Sequence, residues 1–152
     1  FIVQFKNLPK EIQNRIVLEN DDKIFTVFDV LSLCQTLEIP MVLDYHHFLC
    51  NNKGEKIENY LTAIFETWKD TGLVPKIHFS TPKNYTKKEI RNHSEYINGI
   101  DFAQFMMLLK QVDQDVDVMI EAKGKDRALF DLVRQLKYFT SYRFIDETTF
   151  II

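Results

Sequence analysis

Met41-Val42-Leu43-Asp44-Tyr45-His46-His47 is an apolar run that ends in one acid and two imidazoles. Such a run reads as a buried parallel strand that delivers side chains to a site at its carboxyl end. Asp44 and His47 stand in an Asp-x-x-His spacing. A carboxylate oxygen beside a neutral imidazole suits divalent Mn, Zn or Fe. Three other stretches end in the same way. Arg15-Ile16-Val17-Leu18 closes on Glu19, Val74 to Phe79 carries Lys76 and His78, and Val116 to Ile120 closes on Glu121. His93 lies in the connection after the third of these strands. Together these donors suffice for two or three divalent ions. Clustered ions suit phosphodiester hydrolysis, because they activate water and offset charge on the phosphate and the leaving oxygen.

Each residue also has a purely structural reading. Glu19, Asn20, Asp21 and Asp22 serve equally well as caps for the following helix. His46 reads as a satisfied core or loop histidine as readily as a ligand, and His93 as a solvated one. Lys76 inside a barrel is costly unless it is paired or modified. Glu121, between Ile120 and Ala122, is the hardest to explain structurally. All of them fall on one strand edge, which favours the joint chemical reading.

A basic stretch accompanies them. Residues 82–93 hold Lys83, Lys87, Lys88 and Arg91 with Tyr85, and Lys123, Lys125 and Arg127 follow the fourth strand. Basic groups beside an acidic cluster suit a phosphate backbone, although any single lysine here reads as a solvated charge. Gly124, just ahead of the last helix, is positioned to offer backbone N–H groups to a phosphate.

The elements that must position these groups alternate. Residues 1–14 read as a helix interrupted near Leu8-Pro9. Thr26 caps a helix over about 27–38, with Val30, Leu31, Leu33, Cys34 and Leu37 on its apolar face. Pro40 stops it and starts the strand at 41–45, and a polar loop with Asn51-Asn52-Lys53-Gly54 follows. Residues 57–69 show helical spacing through Tyr60, Leu61, Ile64, Phe65 and Trp68. Residues 80–99 form a long polar connection, Asp101 caps a helix to about 111, and the last helix spans about 126–139. Strand and helix thus alternate four times, which predicts a parallel sheet with helices outside it. Sites in such folds sit at the carboxyl edge of the strands. A closed eight-stranded barrel takes about 250 residues, so this chain matches half of one, or a small open sheet.

Length and composition bound the class. A chain of 152 residues is enough for one domain with a core. Its 45% apolar and 27% charged residues are ordinary for a globular protein. No apolar run approaches the roughly 20 residues of a membrane span, and Phe1-Ile2-Val3-Gln4-Phe5 is too short for a signal peptide. Cys34 and Cys50 form no Cys-x-x-Cys pair and read as thiols of a cytoplasmic protein. The net charge of −3 argues against a general nucleic-acid coat, so any nucleic-acid contact must be a local patch. The chain opens on Phe in mid-pattern and reads as a piece of something longer.

Four strings carry a resemblance to a known family: Ile16-Val17-Leu18-Glu19-Asn20-Asp21-Asp22, Ile39-Pro40-Met41-Val42-Leu43-Asp44-Tyr45-His46-His47, Pro75-Lys76-Ile77-His78-Phe79-Ser80 and Glu121-Ala122-Lys123-Gly124-Lys125-Asp126. In order and spacing the chain resembles the carboxyl-terminal half of the UV damage endonucleases. More distantly it is similar to endonuclease IV and the xylose-isomerase-like barrels. The resemblance implies a TIM-type barrel, here its last four βα units as one partial domain over 1–152, from an enzyme that cuts DNA 5′ to UV photoproducts. It implies divalent metal ions, Mn2+ first and Zn2+ or Mg2+ next, held by Glu19, Asp44, His47, His78, His93 and Glu121. It implies that Lys76 carries a carboxyl group and that Lys123 acts with Glu121 near the scissile phosphate. Damaged double-stranded DNA would then meet Lys83, Tyr85, Lys87, Arg91 and Lys125. The amino-terminal half and its ligands are not in this chain, so self-association of half barrels through the open sheet edges is expected, or a compact sheet whose terminal segments cover an edge. A sugar isomerase on a similar barrel is the alternative, but it should lack the basic, Tyr-bearing loop. An inactive half-barrel fragment is the other.

Overall fold

The computed structural model describes residues 1–86 and 88–152. Lys87, expected at the DNA surface, lies outside the described residues. The elements in chain order are α1 (Ile2–Lys6), α2 (Lys10–Gln13), β1 (Leu18–Glu19), α3 (Val27–Leu37), β2 (Met41–Asp44), α4 (Tyr45–Asn51), α5 (Leu61–Glu66), β3 (Lys76–Phe79), α6 (Gly99–Leu109), β4 (Asp117–Ile120), α7 (Asp126–Phe139), β5 (Arg143–Phe144) and β6 (Phe150–Ile151). β1 to β4 make one sheet in chain order, and β1 runs parallel to β2 with Leu18 opposite Met41 and Glu19 opposite Val42. This is the α/β alternation that the sequence predicts. The chain divides into two compact units, Phe1–Ile77 with Asp115–Asp117 and His78–Gln114 with Val118–Ile152.

In the first unit, α3 starts where Thr26 accepts from the Asp29 N–H at 3.2 Å and Asp29 accepts from the Thr26 N–H at 2.9 Å. This reciprocal pair satisfies two N–H groups that a helix start leaves open. α3 buries Val27, Val30, Leu31, Cys34 and Leu37. All four residues of β2 are buried, the mark of a central parallel strand. Its first residue is held on both sides: the Met41 N–H donates to Thr67 Oγ1 at 2.9 Å, and Trp68 Nε1 donates to the Met41 carbonyl at 2.7 Å.

Two expectations change here and a third holds. The segment after β2 is the helix α4, not a polar loop, because the Asp44 side chain accepts from the His47 N–H and starts a helical turn. The predicted helix over 57–69 is a 3-10 turn, Ile57–Asn59, followed by the short α5. Pro9 caps α2, so the interruption foreseen near Leu8-Pro9 is a true break between two short helices.

Cys34 is fully buried, and its Sγ donates to the Pro40 carbonyl at 3.6 Å. Burial pushes its pKa up to about 11. Its folded pKa therefore lies above its unfolded one, and the stability this preserves is lost only as pH rises past about 9. At pH 8 a thiol reagent should label Cys50 in the folded chain and reach Cys34 only after denaturant is added. Equal labelling rates for both thiols would contradict this burial.

In the second unit, Asn98 rather than Asp101 caps α6, accepting from the Ile100 and Asp101 N–H groups at 2.9 and 3.3 Å. The cap moves three residues upstream because the Asn98 N–H is itself fixed by Thr81 Oγ1 at 2.9 Å. Gly99 follows it, where a Cβ would meet Gln135 Oε1 at 2.6 Å. α7 buries Ala128, Leu132 and Leu136. The tail forms a small antiparallel hairpin, with the Phe150 ring stacked on Tyr142 at 5.2 Å and edge-on to Phe102 of α6 at 6.5 Å. Phe79 at the end of β3 packs on Phe102 and Phe105.

Candidate functional site

Each unit brings together its own carboxylates and imidazoles. In the first, Glu19 ends β1, Asp44 ends β2, and His47 stands in the first turn of α4. His47 Nδ1 lies 3.2 Å from Glu19 Oε1, 3.6 Å from Asp44 Oδ2 and 2.9 Å from the Asn20 carbonyl. A carbonyl oxygen only accepts, so Nδ1 carries a proton and Nε2 is the nitrogen left to a metal ion. The Glu19 hydrogen bond raises the His47 pKa to about 9; burial opposes it and the Asp44 charge adds to it. The Asp44 carboxylate is buried, and its Oδ1 also accepts from the His47 N–H at 2.7 Å. His46 is buried in the same turn.

Asn20, a candidate cap on sequence, has a different role. It is 1% exposed. Its Nδ2 donates to the Asp44 carbonyl at 2.9 Å, and its Oδ1 accepts from the Asp44 N–H at 3.0 Å. The only sequence signal for it is an amide placed directly after the acid that ends a strand. Asp21 is another candidate cap on sequence. It instead folds its own loop, accepting from the N–H groups of Lys23 and Ile24 at 2.6 Å and of Phe25 at 3.1 Å.

Lys76 and His78 share one face of β3, as alternation requires, while Ile77 and Phe79 are buried on the other. Lys76 is not sealed in the interior. Its side chain is 39% exposed and its Nζ lies 3.9 Å from Asp117 Oδ2. The cost of an unpaired buried lysine therefore does not arise.

In the second unit, Glu121 faces two imidazoles. Its Oε1 lies 3.4 Å from His78 Nδ1 and its Oε2 lies 3.9 Å from His93 Nδ1. The backbone explains the meeting. The Glu121 N–H donates to the Phe79 carbonyl at 2.9 Å, which sets it one step beyond His78. The connection after β3 closes on itself, with the Ser94 N–H on the Thr81 carbonyl at 2.8 Å and Pro82 bridged to His93. The Lys123 and Gly124 N–H groups then donate to the Ser94 and Glu95 carbonyls at 3.1 and 2.9 Å. A residue 28 positions upstream of Glu121 in the chain is thereby brought to its side.

Gly124 is needed for that approach, since a Cβ there would lie 2.7 Å from the Glu95 carbonyl. Its N–H is spent on this contact rather than offered to a phosphate. Lys123 and Lys125 are exposed on the same turn, and Lys125 holds a positive φ of 52°. In the basic loop, Lys83 pairs with Glu89 at 2.8 Å and the Tyr85 hydroxyl donates to Asp101 at 2.8 Å. Arg91 is exposed. Carboxylate oxygens beside imidazole nitrogens form the donor set that Mn2+ or Zn2+ takes, so the residues of each unit fit divalent metal use.

Among the described residues no helix is long and apolar enough to cross a membrane. Comparison with known proteins agrees with the donor chemistry. The UV-endonuclease UvdE family matches residues 1–149. A UV DNA damage endonuclease of Bacillus cereus strain Q1 is 43% identical over 95% of this chain and 45% of its own length. Another, of Bacillus thuringiensis subsp. konkukian, is 42% identical over 98% of this chain and 46% of its own. The crystal structure of SacUVDE is similar with a TM-score of 0.76 and 33% identity, over 90% of this chain and 44% of that one. The chain thus spans less than half the length of the relatives it matches, and it belongs to the UV-endonuclease UvdE family.

Proposed function

We propose that this chain is the carboxyl-terminal half of a barrel, one partial domain over 1–152, of a DNA repair endonuclease that cuts the phosphodiester 5′ to UV photoproducts. The observation that carries the reading is the Glu121 carboxylate set against two imidazoles, with Glu19 and Asp44 set against a third. Glu19, Asp44, His47, His78, His93 and Glu121 are the metal ligands in this reading, with Mn2+ the preferred ion. Divalent ions, when bound, offset charge on the phosphate and on the leaving oxygen. His47 is oriented by Glu19 and Asn20, and Glu121 by the backbone of β3. Lys123 lies beside the scissile phosphate as a positive charge. Lys76 serves as an anionic ligand once it carries a carboxyl group and gives up Asp117. Lys83, Tyr85, Lys87, Arg91 and Lys125 take phosphates of damaged double-stranded DNA, with Lys83 exchanging Glu89 for a phosphate. The DNA substrate and the two thiols fit an intracellular protein. The exposed strand β4, with Met119 46% exposed, fits an edge that an amino-terminal half or a second copy covers.

Nicking of UV-irradiated supercoiled plasmid tests the reading. With Mn2+, the chain joined to a relative's amino-terminal half should nick irradiated plasmid and leave unirradiated plasmid closed. The chain alone should do neither. Equal nicking of both plasmids, or none by the joined protein, would remove the UV endonuclease assignment.

A further inference from the structure

Where β1 stops, a side chain continues its hydrogen bonding. The last paired residues of β1 and β2 are Glu19 and Val42. One residue later, the Asn20 side-chain amide takes the place of a strand peptide: its Nδ2 donates to the Asp44 carbonyl at 2.9 Å and its Oδ1 accepts from the Asp44 N–H at 3.0 Å. The Asn20 main-chain carbonyl meanwhile accepts from His47 Nδ1 at 2.9 Å. One buried residue therefore fixes the backbone that carries Asp44 and the ring angle of His47. A fourth bond, from the His47 N–H to Asp44 Oδ1 at 2.7 Å, locks the two to each other. A cap for the next helix would need none of this, and Thr26 already fills that role.

We propose that Asn20 is a positioning residue for metal binding, acting through Asp44 and His47 rather than touching the ion. The inference rests on the reading of Asp44 and His47 as ligands. Partners that orient metal ligands are typically worth 10- to 100-fold in metal affinity. A carboxamide suits the position because it both donates and accepts, as the two main-chain groups of Asp44 need.

The test uses the full 152-residue chain in four forms: unmodified, Asn20→Ala, Asn20→Asp and Trp68→Phe. Asn20→Asp is nearly isosteric and keeps the bond from the Asp44 N–H, so it remains measurable if Asn20→Ala does not fold. Two quantities are read: Mn2+ affinity by electron paramagnetic resonance, and the His47 Nδ1–H signal of the metal-free chain by nuclear magnetic resonance. Asn20→Ala and Asn20→Asp should each weaken Mn2+ by about tenfold or more and shift or broaden the His47 signal. Trp68→Phe lowers thermal stability without touching these groups and should leave both readouts unchanged. An Asn20 variant with the unmodified affinity and His47 signal would overturn the proposal, as would an equal loss of affinity in Trp68→Phe. A chain that takes up no Mn2+ would overturn the ligand reading and the metal role of Asn20 together. If the His47 signal still responds in that case, the geometric contact alone survives.

Discussion

Glu121→Gln should abolish nicking of irradiated plasmid while leaving the protein folded. The substitution keeps the shape of the side chain and leaves the backbone bond to Phe79 in place. It removes the negative charge and replaces one carboxylate oxygen with an NH2 that only donates, leaving a single neutral amide oxygen as the weaker ligand. The oxygens concerned are the ones that face His78 and His93 at 3.4 and 3.9 Å. Losing a charged donor from a site that stabilises a phosphoryl transition state costs about 4 kcal/mol, or roughly a thousandfold in rate. Mn2+ uptake should weaken in parallel. The Glu121 side chain is 31% exposed and glutamine has nearly its shape, so the stability change should stay within about 0.5 kcal/mol. Plasmid nicking, Mn2+ titration and thermal melting of the joined protein check the three statements. Unchanged nicking and Mn2+ affinity would take Glu121 out of the site.

Trp68→Ala should have the largest effect on stability. Trp68 is 5% exposed, and its Nε1 serves the carbonyl of Met41, the first residue of β2. Removing the indole leaves a cavity worth about 3–5 kcal/mol, and the orphaned carbonyl adds to the loss. Domains of this size are stable by only about 5–15 kcal/mol, so most of the margin would go. The thermal midpoint should fall on the order of 10 °C or more, with a matching drop in the urea midpoint. Trp68→Phe keeps most of the apolar area and loses the hydrogen bond, so it should cost about 1–2 kcal/mol. A loss below about 1 kcal/mol for Trp68→Ala would show that β2 is not anchored there.

The residue pattern was enough to locate the four strands of the main sheet and the helices α3, α6 and α7, because those depend on neighbours within a few positions, but not the tail hairpin of β5 and β6. Thr26 and Asp29 can close a capping box at spacing three, and Pro40 can end a helix, wherever they stand in a fold. The short helix α4 was not legible. Tyr45-His46-His47-Phe48-Leu49-Cys50 has little periodicity, and its first turn depends on the Asp44 carboxylate turning back to the His47 N–H. The cap of α6 was misplaced for a similar reason. Asn98 and Asp101 are both good caps, and the contact from Asn98 N–H to Thr81, 17 residues away, selects the first.

Residue types and order by themselves determined which groups could do the chemistry: acids and imidazoles at the ends of apolar β-branched runs, and lysines after them. Only the tertiary structure decided what each one meets. It gave Lys76 to Asp117, spent the Gly124 N–H on Glu95, brought His93 to Glu121, and made Asn20 a rung between two strands. Those outcomes turn on hydrogen bonds and ion pairs across 24 to 41 residues of chain. Such bonds depend on strand register and loop closure, which no local pattern encodes.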